Sequence, residues 1–423
     1  MDHVYTGKRE RVIERSCGEV GMSKKIAIVS LGYLWFPCES GPSRFYDIAM
    51  HFVEAGYDVE CITTSFQHFK KSPRNKKLIL EQGYPFKITF IDAPSYKKNV
   101  DVRRIISNKV AAGNLKRYLI KNINQYDAVY VAIPANNISA MVTSICKKNE
   151  IPVVVDIEDL WPEAMSMVIK NRVVRKVLLY SFERDAEITY KNANGIIGTS
   201  EDYTDRAFKK RKRNIPAETV YVGCNLAEFD AGVEKYSDEI VKGEGHFWVT
   251  YTGSISTSYD IKTLIDAGYA LKDKNVHVQI LGTGSLKDEL EEYSKNMENI
   301  HFWGFTPYPK MAAVLSKSDV VVNSFIKGAP QSIVNKVGDY LASGKPMINT
   351  LENPVFCKLV EENGIGVNIE PGETDILVDA IKQYIVREFE HGKNARRLAE
   401  ERFDREKNYK KIVKIVDIIK ILR

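Results

Sequence analysis

The chain has 423 residues, 44% of them hydrophobic and 27% charged, with 61 Lys and Arg against 55 Asp and Glu. Those figures fit a globular protein of two ordinary domains, each able to bury its own core. No apolar run approaches the roughly 20 residues that cross a bilayer as a helix, and the polar first 23 residues lack the apolar stretch of a signal peptide and read as a flexible extension. Charge is uneven: residues 1–213 hold 35 basic and 24 acidic residues, the remainder 26 and 31. The first half is therefore expected to face something anionic, such as phospholipid, a lipid pyrophosphate or nucleic acid. Cys17, Cys38, Cys61, Cys146, Cys224 and Cys357 form no C-x-x-C pair and have no His at a metal-ligand spacing, which suits a reducing cytoplasm.

In chain order, residues 25–31 (KIAIVSL) form a continuous apolar run, the pattern of a parallel strand covered on both faces. A helix is predicted from about Ser43 to Ala55, with Phe45, Ile48, Ala49 and Phe52 on one side and Gly56 at its end. Strands are predicted at 58–64, 87–93, 128–133, 152–157 and 195–200, with helices at 138–149 and 169–191. Basic residues from Lys70 to Arg117 surround Ile105, Ile106, Val110 and Leu119, as in a basic amphipathic helix on an anionic membrane; a solvated face is the alternative. The basic run 209–213 has no recognition motif beside it and reads as surface, so no nucleic-acid partner is expected.

The acidic, glycine-containing stretch 228–245 reads as a linker, dividing the chain into domains 24–227 and 228–402. Beyond it the same rhythm restarts, with strands at 246–254, 277–282, 300–305 and 319–323 and helices at 261–272, 285–295 and 308–316. A helix from about Ser332 to Ala342, a strand at 346–349 and an amphipathic helix at 394–421 follow. Alternation of this kind predicts doubly wound parallel sheets, an α/β fold.

In such a fold, ligands meet the loops after the strands. The segment 324–350 supplies one such loop, where free amides at Ser332, Ile333 and Val334 would face an anion at a helix N-terminus. Lys336 and Asp339, three apart, share one side of that helix. A cation for phosphate and a carboxylate for hydroxyls are what a nucleotide-sugar requires. Gly41, after the first strand, allows close backbone approach, and Arg44 is a candidate for a phosphate. Asp156, Glu158, Asp159 and Glu163 fall within eight residues, but a strand sends neighbours to opposite faces, so no metal cluster is expected. Asp159 and Glu163 would bind ligand hydroxyls or cap the next turn, and Trp161 is either a platform for a ligand ring or core. Gly253-Ser254, Gly282-Thr283-Gly284 and Gly304-Phe305 are turns at strand ends that suit a nucleotide or plain chain reversal.

NKVGDYLASGKPMI resembles the donor-site helix of the family 4 glycosyltransferases of the GT-B fold, with pattern E-x7-E then A-x-G-x-P; here it reads Gln331-x7-Asp339. DIEDLWPE (156–163) is similar to E-V-R-D-L-W-P-E of bacterial surface-polysaccharide transferases like the O-antigen N-acetylfucosaminyl transferases. That subgroup often carries a Lys three residues before the second acid, the place of Lys336. The resemblance covers residues 24–423. It implies two Rossmann-like domains facing a cleft, with a final helix (403–423) completing the first. It further implies a retaining transfer of sugar from a nucleotide-sugar, most often a UDP-sugar, in surface-polysaccharide assembly. The acceptor would be a glycan or a sugar on polyprenyl pyrophosphate, at the cytoplasmic face of the membrane.

By the same resemblance Lys336 and the Ser332 and Ile333 amides hold the diphosphate, Asp339 the ribose and Gln331 the sugar. Gly41, Gly253, Ser254, Gly282 and Phe305 complete the donor site. Asp159 and Glu163 act on the acceptor side, among Arg44, Asp156, Glu158 and Trp161. Much of the family grips the diphosphate with an Arg and a Lys after Gly253; SISTSYD has neither, which transfers that task to Lys336. Neither metal nor cofactor is expected. One alternative is a nucleotide-sugar 2-epimerase, for which the seven His show no grouping in the sequence. The other is a non-catalytic partner subunit, to which Gln331 and the missing Arg/Lys pair would be suited.

Overall fold

A computed structural model describes residues 24–39, 44–97, 102–133, 135–161, 163, 172–210, 212 and 214–422, with side chains of 172–178 left out. The extension 1–23 and Gly41 lie outside the described residues.

The first sheet has seven parallel strands, ordered Lys87–Ile91, Tyr57–Thr64, Lys24–Val29, Ala128–Ile133, Val153–Ile157, Gly195–Gly198, Ala217–Thr219. Apolar residues at consecutive positions cover both faces. Ile26 and Ile28 pack on one side against helices Arg44–Glu54 and Arg405–Ile421, through Phe45, Phe52, Ile412 and Val416. Ala27 and Val29 pack on the other against Val102–Asn122, Asn136–Lys148 and Arg172–Asn192, through Leu115, Val142 and Tyr190.

The second sheet is also parallel, ordered Ile300–Gly304, Val276–Leu281, Phe247–Thr252, Val320–Asn323, Met347–Asn349, Gly366–Asn368. In both sheets the third strand in sequence lies at one edge and the order reverses between the first and the fourth. That reversal opens a crevice at the C-terminal ends of the strands, where α/β proteins bind ligands.

Three expectations change. The stretch 228–245 is not a plain linker: its first part lies in helix Leu226–Tyr236, whose Phe229 is buried with Leu315 in the second domain. The chain passes between domains nearer Cys224, whose N–H donates to the Phe403 carbonyl (2.9 Å) and whose carbonyl accepts from the Arg405 N–H (3.0 Å). The predicted final helix is broken there into His391–Leu398, a wider turn Ala399–Phe403, and Arg405–Ile421, which the Asp404 side chain caps at the Glu406 N–H. The helix expected from Ser332 begins only at Lys336 and has seven residues. Tertiary contacts override propensity here: the Ser332 hydroxyl is drawn to Asp202, and Ile333 and Val334 pack on the core.

Candidate active site

At the reversal point of the second sheet, the strand Phe247–Thr252 ends in Gly253 (φ +135°) and its neighbour ends in Gly282 (φ +142°). A Cβ on Gly282 would stand 1.8 Å from the Gly253 carbonyl oxygen, so only glycine lets the two turns stack. The turns are joined by Ile255 N–H to the Thr283 carbonyl (2.9 Å), and the second is joined to the third by Gly282 N–H to the Gly304 carbonyl (2.8 Å). Phe305, just past that third turn, is 77% exposed, a ring standing free on the ligand edge.

Lys336 reaches into this crevice. Its Nζ would be 3.6 Å from a Cβ placed on Gly253. It lies 4.0 Å from the ring centre of Tyr251, 4.5 Å from Tyr259, 5.3 Å from Phe325 and 6.0 Å from Tyr340. The Nζ is buried, and none of the described residues accepts a hydrogen bond from it. Burial pushes the amine well below the ordinary lysine range, while ring faces attract the ammonium. An anion bound beside this amine would restore its charged form and supply the counter-ion that burial denies it. The buried Gln331 Oε1, five residues away, also lacks a partner.

The neighbouring positions are already engaged. The Ser332 hydroxyl donates to Asp202 Oδ1 across the domain boundary (2.9 Å), and Asn353 Nδ2 reaches Asp202 Oδ2 (3.4 Å). With the helix starting at Lys336, the Ser332 and Ile333 amides belong to a loop, outside the first turn in which a helix dipole acts. Asp339 accepts from the Tyr308 hydroxyl (2.9 Å). Burial raises its carboxyl to about 6, held back by that hydrogen bond and by Arg405. Ser254 receives the Tyr251 hydroxyl on its carbonyl (2.7 Å).

On the first domain two expected acceptor contacts are corrected. Asp156 is fully buried, with both carboxylate oxygens on the Arg44 guanidinium (3.0 Å each from Nη2). Arg44, 4% exposed, also donates to the Val220 carbonyl (3.4 Å) and the Tyr409 hydroxyl (3.3 Å). The pair ties the first helix to the fifth strand beneath the site, and neither residue is free to meet a substrate. Glu158 lies at the rim, 2.7 Å from Arg44 Nε, but that N–H points to Asp156, so the contact is Coulombic. Burial, then the nearby Asp156 and Asp159, raise the Glu158 carboxyl to about 8 against the pull of Arg44. Asp159 is raised by burial and accepts from Trp161 Nε1 (3.0 Å). Glu163 is paired with the buried Arg206, which also holds Glu187 (3.0 Å). Among the described residues no cluster of His, Cys, Asp and Glu could hold a metal ion.

Nothing in the sequence announces the pocket beside these carboxylates. It sits at the reversal point of the first sheet, lined by Tyr33, Tyr96, Arg104, Asn136, Trp161 and Phe182 among others. Asn136 is buried and donates to the carbonyls of Trp161 (2.7 Å) and Phe182 (3.0 Å), while its Oδ1 has no partner among the described residues. Trp161 thus both lines the pocket and packs edge-on against Phe182.

Two Rossmann-type domains with facing ligand edges, and a last helix that returns to the first, define the GT-B architecture. Its solved examples include Anabaena HepE in complex with UDP (TM-score 0.67, 14% identity, 93% of this chain and 99% of that one). WaaG, a glycosyltransferase of lipopolysaccharide biosynthesis, superposes with TM-score 0.63 at 13% identity, over 93% and 99% of the two chains. The UDP-GlcNAc 2-epimerase of Neisseria meningitidis has the same fold (TM-score 0.58, 14% identity, 93% and 99%). Residues 233–405 match the family model of glycosyl transferases group 1. In the curated proteins, 241 residues are 25% identical to WcaI of Escherichia coli K12, named for glycosyl transfer in colanic acid biosynthesis. That match spans 54% of this chain and 58% of WcaI.

Proposed function

We propose that the protein is a retaining glycosyltransferase that moves a sugar from a UDP-sugar to a glycan or polyprenyl-pyrophosphate-linked acceptor in surface-polysaccharide assembly, at the cytoplasmic face of the membrane. The observation that carries this is the Lys336 amine, buried and without an acceptor among the described residues at the reversal point of a glycosyl transferases group 1 domain. In this reading the donor diphosphate is its missing counter-ion, and the amine stabilises the leaving group as the glycosidic bond breaks. Gln331 Oε1 takes a sugar hydroxyl, Asp339 the ribose, and Phe305 the base. Backbone N–H groups of the 331–334 loop and Ser254 assist on the phosphates. Asp159 and Glu158 border the acceptor, with Glu163 held behind them by Arg206.

HepE was solved with UDP and with UDP-glucose, which supports the choice of nucleotide. The epimerase alternative meets a specific difficulty. His246, His277 and His301 do group, contrary to their scatter in the sequence, as stacked rings 3.8 and 5.4 Å apart. They lie at the starts of their strands, the edge opposite the ligand, where they cannot serve a nucleotide-sugar. Thermal unfolding with a panel of nucleotides and nucleotide-sugars tests the proposal, since a ligand that binds the folded state alone raises its stability. UDP compounds should stabilise wild type and not Lys336→Ala. No shift with any nucleotide would overturn the donor site and leave the non-catalytic subunit as the better reading.

A further inference from the structure

The helix Val102–Asn122 carries Arg103, Arg104, Lys109, Lys116, Arg117 and Lys121 and no carboxylate in 21 residues. Its buried residues Ser107, Ala111, Leu115 and Leu119 recur every four positions and face the sheet. The opposite side should be polar in a helix that merely covers a core. Instead Val102 is 70% exposed, Ile105 57%, Ile106 50%, Val110 39% and Ile120 60%. Lys109, Lys116, Arg117 and Lys121 stand among them without an ion pair to any described carboxylate. Across the edge strand Lys87–Ile91, the short helix Lys76–Glu81, whose Ile79 packs on the other face of the sheet, exposes Leu78 and Leu80 next to Lys76 and Lys77. The two helices are joined through Asp92, which takes Lys76 on its carboxylate (3.2 Å) and Asn114 on its carbonyl (2.8 Å).

Mixed aliphatic and cationic side chains on one exposed face suit a surface that is anionic at the headgroups and apolar just below them. Nucleic acid offers the charge but nothing for five aliphatic side chains. The inner face of the same helix supplies Arg104, Ser107, Asn108 and Ala111 to the pocket at the first sheet's reversal point. We propose that helix Val102–Asn122 lies on an anionic phospholipid bilayer, so that one helix faces the lipid and walls the pocket. An acceptor carried on a lipid then enters that pocket from the membrane side, its sugar toward Asp159 and Trp161 and its phosphates toward Arg104. The acceptor part of this inference rests on the transferase reading; the membrane part does not.

The test is flotation of the full chain with vesicles of phosphatidylcholine alone and of phosphatidylcholine with phosphatidylglycerol. Wild type should float only with the anionic vesicles and detach in high salt. Lys116→Gln with Arg117→Gln should weaken partition about 30-fold, since each basic residue near the surface contributes roughly fivefold. Ile105→Ser with Ile106→Ser should weaken it about tenfold or more through lost apolar burial. Neither pair touches the donor site, so both variants should keep the stabilisation by UDP seen in wild type, which also shows that they are folded. Failure of folded wild type to float with anionic vesicles overturns the proposal. So does equal flotation of wild type and both variants, or retention on single-stranded RNA without flotation. Loss of the UDP response with flotation intact would instead sink the transferase reading and leave the membrane surface standing.

Discussion

Replacing Lys336 by methionine separates binding from stability. Methionine has nearly the same length and apolar volume and can lie among Tyr251, Tyr259, Phe325 and Tyr340, whose ring centres are 4.0 to 6.0 Å from the Nζ. The free protein then loses a buried amine without an acceptor, which relieves about 1–3 kcal/mol, and loses attraction to the ring faces of about 0.5–2 kcal/mol. The two nearly cancel, so Lys336→Met should unfold within about 4 °C of wild type, at roughly 2–4 °C per kcal/mol for domains of this size. Binding has no such compensation. A charge-assisted contact to the diphosphate contributes about 1.5–3 kcal/mol, so UDP affinity should fall by roughly 10- to 150-fold. Calorimetric titration with UDP and thermal unfolding of the apo proteins read the two quantities separately. A methionine variant that is strongly destabilised yet binds UDP as wild type does would show that Lys336 serves the fold, and would refute the reasoning.

Asp156→Asn should cost about 3–5 kcal/mol, because it removes the charge that meets the 4%-exposed Arg44 with both oxygens and leaves only Glu158 beside it; denaturant unfolding reads this. Gly282→Ala should destabilise by several kcal/mol on the same assay, since its Cβ would meet the Gly253 carbonyl oxygen at 1.8 Å in a backbone conformation hostile to alanine. Asp202→Ala removes the acceptor of Ser332 and Asn353 and should cost about 1–2 kcal/mol while weakening UDP binding through the Gln331–Ser332 loop; an unchanged affinity would argue against that coupling. Glu158 has its carboxyl raised to about 8, so the folded state holds its proton more tightly than the unfolded chain. Its contribution is complete below the ordinary glutamate range and is lost as pH rises to about 8; unfolding temperatures from pH 5 to 9 should fall more for wild type than for Glu158→Gln.

Most of the fold was legible because buried parallel strands advertise themselves. KIAIVSL and AVYVAI are apolar at consecutive positions, and the structure places Ile26 and Ile28 on one face and Ala27 and Val29 on the other. Helix limits set by local residues were close; those set by distant contacts were missed. Nothing near Ser332 announces that Asp202, 130 positions away, takes its hydroxyl and holds the loop out of the helix. The break at Ala399–Phe403 is likewise fixed by backbone bonds to Cys224, far off in the chain.

The site was legible in its residue types and not in its pairings. Spacing singled out Lys336 and Asp339, yet the first points into an aromatic crevice and the second to Tyr308, a divergence that a shared helix face conceals. Arg44 and Asp156 looked like substrate contacts because charged residues at strand ends usually are; their mutual pairing is visible only once the first helix lies over the fifth strand. Within the two candidate sites, the groups differ in whether the protein already meets their bonds. Arg44, Asp156 and Ser332 have found protein partners, whereas Lys336 Nζ, Gln331 Oε1 and Asn136 Oδ1 are buried without one among the described residues. Buried polar atoms left unpaired are costly, and these three lie at or beside the two points where the strand order reverses. In the proposed transferase, an anion and a hydroxyl-bearing sugar would complete the first two, and a polar acceptor the third.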